Sequence, residues 1–120
     1  MVAQADGRLN DVAVEQPKVV FGAGRKTVEL MMTNHLNHMA RQTFGENGAE
    51  GFGLGGAVRI DLAKGNSLGS VGQFGWSGAA STYYRIDPKE HTVALLFMQY
   101  MPNDSATADL FSTLFYQSLD

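Results

Sequence analysis

The four residues Asp87-Pro88-Lys89-Glu90 constrain this chain more than any others. Proline presets the dihedral of a turn and Asp bonds its own backbone two residues on, so the chain must reverse here. Before the reversal, Gln73 to Ile86 carries Phe, Trp and two Tyr among small residues and reads as a strand. After it, Thr92 to Tyr100 holds an unbroken apolar stretch that fits a central strand covered on both faces. Two strands joined by so short a turn pair antiparallel.

A third strand precedes them. Phe52, Leu54, Val58, Ile60 and Leu62 all fall on even positions, with small or polar residues between, which gives one apolar face. Lys64 to Gly72 is rich in Gly, Ser and Asn and reads as a connection. Thr27 offers an N-cap for a short helix through Val28, Leu30, Met31 and Met32, ending near Asn34-His35, and Asn37 to Gly51 reads as a surface loop. Beyond Pro102, Asp104 or Ser105 caps a last helix in which Leu110, Phe111, Leu114, Phe115 and Leu119 form one apolar stripe for the sheet. Residues 1–24 lack a sustained period and read as loop or short strand. The expected fold class is α+β: a three-stranded antiparallel meander with a packed C-terminal helix and a short N-terminal helix, in a single domain over 1–120.

Composition narrows the function classes. Hydrophobic residues make up 44% and charged residues 18%, a globular balance. The net charge is -3 with the nine basic residues scattered, so no nucleic acid and no anionic membrane surface is expected as a partner. The longest apolar run, Val93 to Met98, is far short of a membrane span of about 20 residues. No export signal opens the sequence, so the expectation is a soluble chain, cytoplasmic if complete as given. There is no Cys, hence no disulfide and no thiolate chemistry.

The segment Gly72-Gln73-Phe74-Gly75-Trp76-Ser77-Gly78-Ala79-Ala80-Ser81-Thr82-Tyr83-Tyr84-Arg85-Ile86-Asp87-Pro88-Lys89-Glu90 resembles the third-motif strand and following turn of the β-lactamase-related serine hydrolases, the class C β-lactamases and penicillin-binding-protein-like esterases. Arg25-Lys26-Thr27-Val28-Glu29-Leu30-Met31 with Asn34-His35-Leu36 resembles the family's helix upstream, and Gly51-Phe52-Gly53-Leu54-Gly55 the strand before the motif. Residues 25–120 are covered, the C-terminal portion of such a protein.

The resemblance implies a partial β-lactamase-like fold, whose antiparallel sheet borders the active site. The family's Ser-x-x-Lys and Tyr-x-Asn motifs are absent from this sequence; Tyr100-Met101-Pro102-Asn103 has one residue too many. Where lactamases carry Lys-Thr-Gly, this chain reads Trp76-Ser77-Gly78. By resemblance, Gly78 lets substrate approach the strand, the Ala79 amide is one oxyanion donor, Trp76 lines an acyl wall and Ser77 contacts substrate. Loss of the Lys removes a cation for a substrate carboxylate, which favours a small ester or amide substrate over a β-lactam. The implied activity is carboxylic-ester hydrolysis through a Ser outside this chain, without cofactor or metal.

Other patterns have plainer readings. Gly65-Asn66-Ser67-Leu68-Gly69 matches the Gly-x-Ser-x-Gly nucleophile elbow, with Asp87 and His91 following in order, which leaves a stand-alone small esterase as an alternative; its strand-turn-helix context is missing. His35 and His38 are spaced i, i+3 but have no clear third ligand for a metal. Met31, Met32 and Met39 read as core filler. A non-catalytic module is the rival from another class: apolar faces and strand edges without partners point to a homo-oligomer or a complementing segment.

Overall fold

A computed structural model describes residues 2–4 and 22–119. The elements run β1 (Val2–Gln4), α1 (Arg25–Met31), β2 (Glu50–Phe52), β3 (Ala57–Arg59), α2 (Leu62–Gly65), β4 (Phe74–Ser77), β5 (Tyr83–Asp87), β6 (Thr92–Leu96) and α3 (Ser105–Gln117). The strands form one six-stranded antiparallel sheet in the order β1-β6-β5-β4-β3-β2, so the meander has five strands, β2 to β6, rather than three, with β1 added beside β6.

The extra strands come from two turns hidden inside alternating segments. The expected strand from Phe52 to Leu62 is a hairpin: Gly53 N donates to Gly56 O at 2.8 Å, and Gly55 takes a φ of 108° that a side chain would oppose. Phe52 then pairs with Ala57 and Glu50 with Arg59. Leu62 opens α2, capped by Asp61, whose carboxylate accepts from Lys64 N at 2.9 Å. The expected strand from Gln73 to Ile86 likewise folds back at residues 78–82, pairing Ser77 with Tyr83 and Phe74 with Ile86.

The reversal at Asp87 forms as its residues dictate. Asp87 Oδ1 accepts from Lys89 N at 3.0 Å and Glu90 N at 3.1 Å, and Asp87 pairs with Thr92 across the hairpin. β6 stops at Leu96, short of Tyr100, and lies between β5 and the edge strand β1. It is not covered on both faces: Val93, Leu95 and Leu96 are half-buried, and Phe97 just beyond it is 78% exposed.

Asp104 caps α3 as expected, its carboxylate accepting from Thr107 N and Thr107 Oγ1. The stripe that meets the sheet is narrower than expected. Ala108 and Phe115 are buried and Phe111 packs edge-on against Tyr83 at 6.0 Å, while Leu110 and Leu114 face away and stay exposed. Below Phe115, Tyr116 Oη donates to Asp87 Oδ2 at 2.7 Å and lies 3.0 Å from Gln73 Oε1. Gln73 and Asp87 are the largest side chains buried to this degree, so one tyrosine ties the helix to the two most secluded polar groups of the sheet. Burial first and the Asp87 carboxylate second push the Tyr116 phenol well above its ordinary pKa.

α1 begins at Arg25 with Gly24 as its N-cap, so Thr27 sits inside the helix rather than at its cap, and the helix ends at Met31 instead of near Asn34-His35. None of its residues is buried. Met31 and Met39 are exposed and Met32 is half-buried, so the methionines do not fill a core among the described residues. The buried apolar set is small: Ala49, Ala57, Val58, Phe74, Tyr83, Ala94, Ala108 and Phe115, against fifteen large hydrophobic residues left exposed.

Candidate functional site

β4 is paired on both sides only at Phe74 and Gly75, because β3 begins at Ala57, the partner of Gly75. Trp76 and Ser77 therefore face β5 on one side, through Tyr84 and Tyr83, and no strand of the described residues on the other. A free strand edge offers backbone N–H and C=O groups to whatever lies beside it. Gly78 N donates to Thr82 O at 2.9 Å and Ser81 N to Gly78 O at 3.1 Å. A β-carbon on Gly78 would fall 2.5 Å from Thr82 Oγ1. The turn is clamped from outside: Ser81, at φ 64°, donates its hydroxyl to Tyr100 O at 2.7 Å and accepts from Asp104 N at 2.9 Å. Between these fixed points, exposed Ala79 makes no hydrogen bond through its N–H among the described residues.

The four residues singled out in the sequence are thus contiguous in space, with Trp76 and Ser77 on the free edge and Gly78 and Ala79 in the clamped turn. Trp76 packs against Phe52 at 5.2 Å and Phe44 at 5.4 Å, yet is 41% exposed. The plain packing role and a surface left open to solvent coexist in this one side chain.

Two cavities meet at Trp76 and Ser77. One of about 300 Å³ is bounded by Gly78, Thr82, Tyr84 and Phe97 and carries no charged side chain. The other, of about 370 Å³, lies toward α3 and includes Glu50, Arg85 and Asp109. It shares these residues with a larger cavity of about 840 Å³ that reaches Arg59 and Ser67. Strand alternation places Tyr83, Arg85 and Asp87 on the α3 side of β5. Arg59 is buried and ion-paired at 2.7 Å to half-buried Glu50, and Gly65 leaves room for its guanidinium. Arg85 Nε donates to Tyr83 Oη at 3.1 Å. Sequence reading placed Arg59 on the polar face of a strand and passed over Glu50 and Arg85. The usable signal was cross-strand charge, hidden because the β2–β3 turn that sets Glu50 opposite Arg59 was unrecognised.

The elbow residues do not come together. Ser67 Oγ accepts from Arg59 Nη2 at 3.2 Å, Asp87 serves its own turn and Tyr116, and His91 is an exposed turn residue at φ 54°. The short helix α2 precedes Ser67 where an elbow needs a strand. His35 Nε2 lies 2.7 Å from Leu30 O and His38 Nδ1 3.2 Å from Asn37 Oδ1, so each ring is engaged locally outside any helix. Tyr100 is exposed, in an extended connection rather than at the end of a buried strand.

No protein-family model matches the chain. Two curated relatives from Mycobacterium tuberculosis, Protein Rv1367c of strain H37Rv and Uncharacterized protein MT1414 of strain CDC 1551, are each 33% identical over 112 residues, covering 86% of this chain. The chain spans about a quarter of the length of these relatives, 25% in each case. Among solved structures, unliganded simvastatin synthase (LovD) from Aspergillus terreus aligns with a TM-score of 0.58 at 26% identity, over 78% of this chain and 29% of that one. Its LovD6 mutant aligns with a TM-score of 0.59 at 23% identity, over 78% and 28%. The described fold is therefore part of a β-lactamase-like fold. No helix of the described residues is long and apolar enough to cross a membrane.

Proposed function

We propose that this segment is the C-terminal part of a serine carboxylic-ester hydrolase, and that it supplies the strand against which the substrate carbonyl is held. The observation that carries the reading is the free edge of β4 running into a clamped turn whose Ala79 N–H is unused. A backbone donor fixed before the substrate arrives does not have to reorganise when negative charge develops on the carbonyl oxygen, and removing one such donor typically lowers kcat by about 10²–10³. The nucleophile, its base and the second donor come from a segment outside this chain.

Incubating the purified chain with a short-chain p-nitrophenyl ester and a fluorophosphonate probe, followed by mass spectrometry, tests the reading. No turnover and no labelled residue are expected. A stoichiometric label on Ser67 or Ser77, with turnover lost on Ser67→Ala, would replace this reading by that of a small self-sufficient esterase.

A second reading, a non-catalytic module that self-associates, draws on the exposed apolar residues of α1 and α3 and on half-buried Tyr84, Ile86, Val93 and Leu95 on the sheet face opposite α3. A monodisperse monomer in light scattering would count against it.

A further inference from the structure

The two cavities that meet at Trp76 differ in one respect that bears on what the site accepts. Toward α3 the lining carries Glu50, Arg85 and Asp109. On the other side it consists of Trp76, Ser77, Gly78, Thr82, Tyr83, Tyr84 and Phe97, with no ionisable carboxylate or cation. A charged ligand group placed there would lose its water with no counter-charge to replace it, whereas an apolar chain would lose nothing.

The walls of this uncharged pocket are set by register. Trp76 pairs with Tyr84, and Tyr84 with Leu95, so these three residues run in line across β4, β5 and β6. Phe97 follows β6 directly and lines the same pocket as Thr82. Tyr84 turns its hydroxyl away to Gly55 O at 3.4 Å, which leaves the body of the ring as wall. Gly78, lacking a side chain, makes room for the Thr82 hydroxyl at the end of the row, and the unused Ala79 N–H is one residue further on. Phe97 is the most exposed of the large hydrophobic residues described, at 78%. A ligand chain lying on it would take apolar surface out of water, the main source of affinity for such a group.

We infer that the pocket bounded by Thr82, Tyr84 and Phe97 receives the apolar acyl chain of a neutral ester, with Phe97 and Tyr84 setting the preferred chain length. The assignment rests on the reading of Ala79 as the carbonyl's donor, because that donor places the start of the acyl chain at the mouth of the pocket.

The chain contains a single tryptophan, so emission excited beyond the tyrosine absorption band reports Trp76 alone. Unbranched 2-alkanones from butanone to octanone carry the carbonyl and chain of an ester and cannot be hydrolysed, so binding is read without a nucleophile. Titration should change Trp76 emission saturably, with affinity rising about fourfold per added CH₂. Phe97→Ala, at an exposed position, should keep the urea midpoint and weaken octanone about tenfold, and Tyr84→Leu should do likewise in a chain of native circular dichroism. Octanoate should bind far more weakly than octanone. Affinity independent of chain length, or unchanged in Phe97→Ala, would overturn the assignment. So would octanoate binding as tightly as octanone and losing that affinity in Arg85→Gln, which would send the ligand to the charged cavity. Ketone binding of the expected kind together with a fluorophosphonate label on Ser67 would leave the pocket standing and remove the oxyanion reading instead.

Discussion

Replacing Tyr116 by Phe removes one oxygen from the contact between α3 and the sheet and leaves the ring in place. Its hydroxyl is 2.7 Å from Asp87 Oδ2, and Asp87 is 1% exposed, so the carboxylate has no water to turn to. Asp87 Oδ1 keeps its bonds to Lys89 N and Glu90 N, so the carboxylate is half served rather than stranded. A hydrogen bond to a charged group contributes about 1.5–3 kcal/mol, and the expected loss is about 2 kcal/mol. With a urea slope of about 2 kcal/mol/M the midpoint should fall by about 1 M. A pH signature accompanies this. The folded phenol is held above its ordinary value of 10.0, so above that pH the unfolded chain binds fewer protons than the folded one. Stability contributed by Tyr116 is complete below pH 10 and is lost as pH rises beyond it, and the Phe variant should show a shallower alkaline decline. Urea melts of both proteins across neutral and alkaline pH measure both effects. A loss under about 0.5 kcal/mol, or an unchanged alkaline slope, would mean that the helix is not anchored through this bond.

Three further outcomes follow from particular contacts. Gly65→Ala would put a β-carbon 2.1 Å from Arg59 Nη1 and displace a buried guanidinium from Glu50; even after the helix-propensity gain of about 1 kcal/mol, a net loss of about 2–3 kcal/mol is expected in urea melts. Thr107 lowers the pKa of Asp104 by hydrogen bonding, so its cap should be intact above the ordinary carboxylate value of 3.8 and fade as pH falls below it; Asp104→Ala should abolish that acid-dependent loss of helical circular dichroism at 222 nm. Ser67→Ala removes only a hydrogen bond from Arg59 and should cost about 1 kcal/mol or less, with no effect on any ester turnover by a protein containing this segment.

The elements that could be read in advance are those specified within a few residues. The Asp87 turn and the Asp104 cap depend on one side chain bonding backbone two or three positions on, and both formed where that chemistry put them. The missed hairpins depend on something alternation cannot report. Gly53 to Gly56 reverse the chain and pair Phe52 with Ala57, so Val58 falls on the face opposite Phe52, and the even spacing from Phe52 through Ile60 imitates one strand without sharing one face. The pair Gly55-Gly56 was the available sign, outweighed by the alternation around it. The run from Gly78 to Ser81 was hidden by its small residues, which pass for the plain face of a strand. At the site, the order Trp76-Ser77-Gly78-Ala79 was visible as a motif, but the unpaired edge was not, because it depends on where β3 begins. The apolar positions of α1 and the Leu110/Leu114 side of α3 read as core because they have core composition; no described element covers them.

The pairing order of the sheet carries a consequence for how the polypeptide acquires its shape. From β2 to β6 every strand is hydrogen-bonded to its successor in sequence, so each step of assembly closes only a short loop. Such a zipper can propagate from the Asp87 reversal outward as soon as those residues leave the ribosome, on microsecond-to-millisecond timescales. The exception is the union of Val2–Gln4 with Thr92–Ala94, which closes a far longer loop than any other pairing in the sheet. That edge is therefore the step most exposed to competition, and the outer side of β6 stays open to any neighbouring strand until Val2–Gln4 returns to claim it.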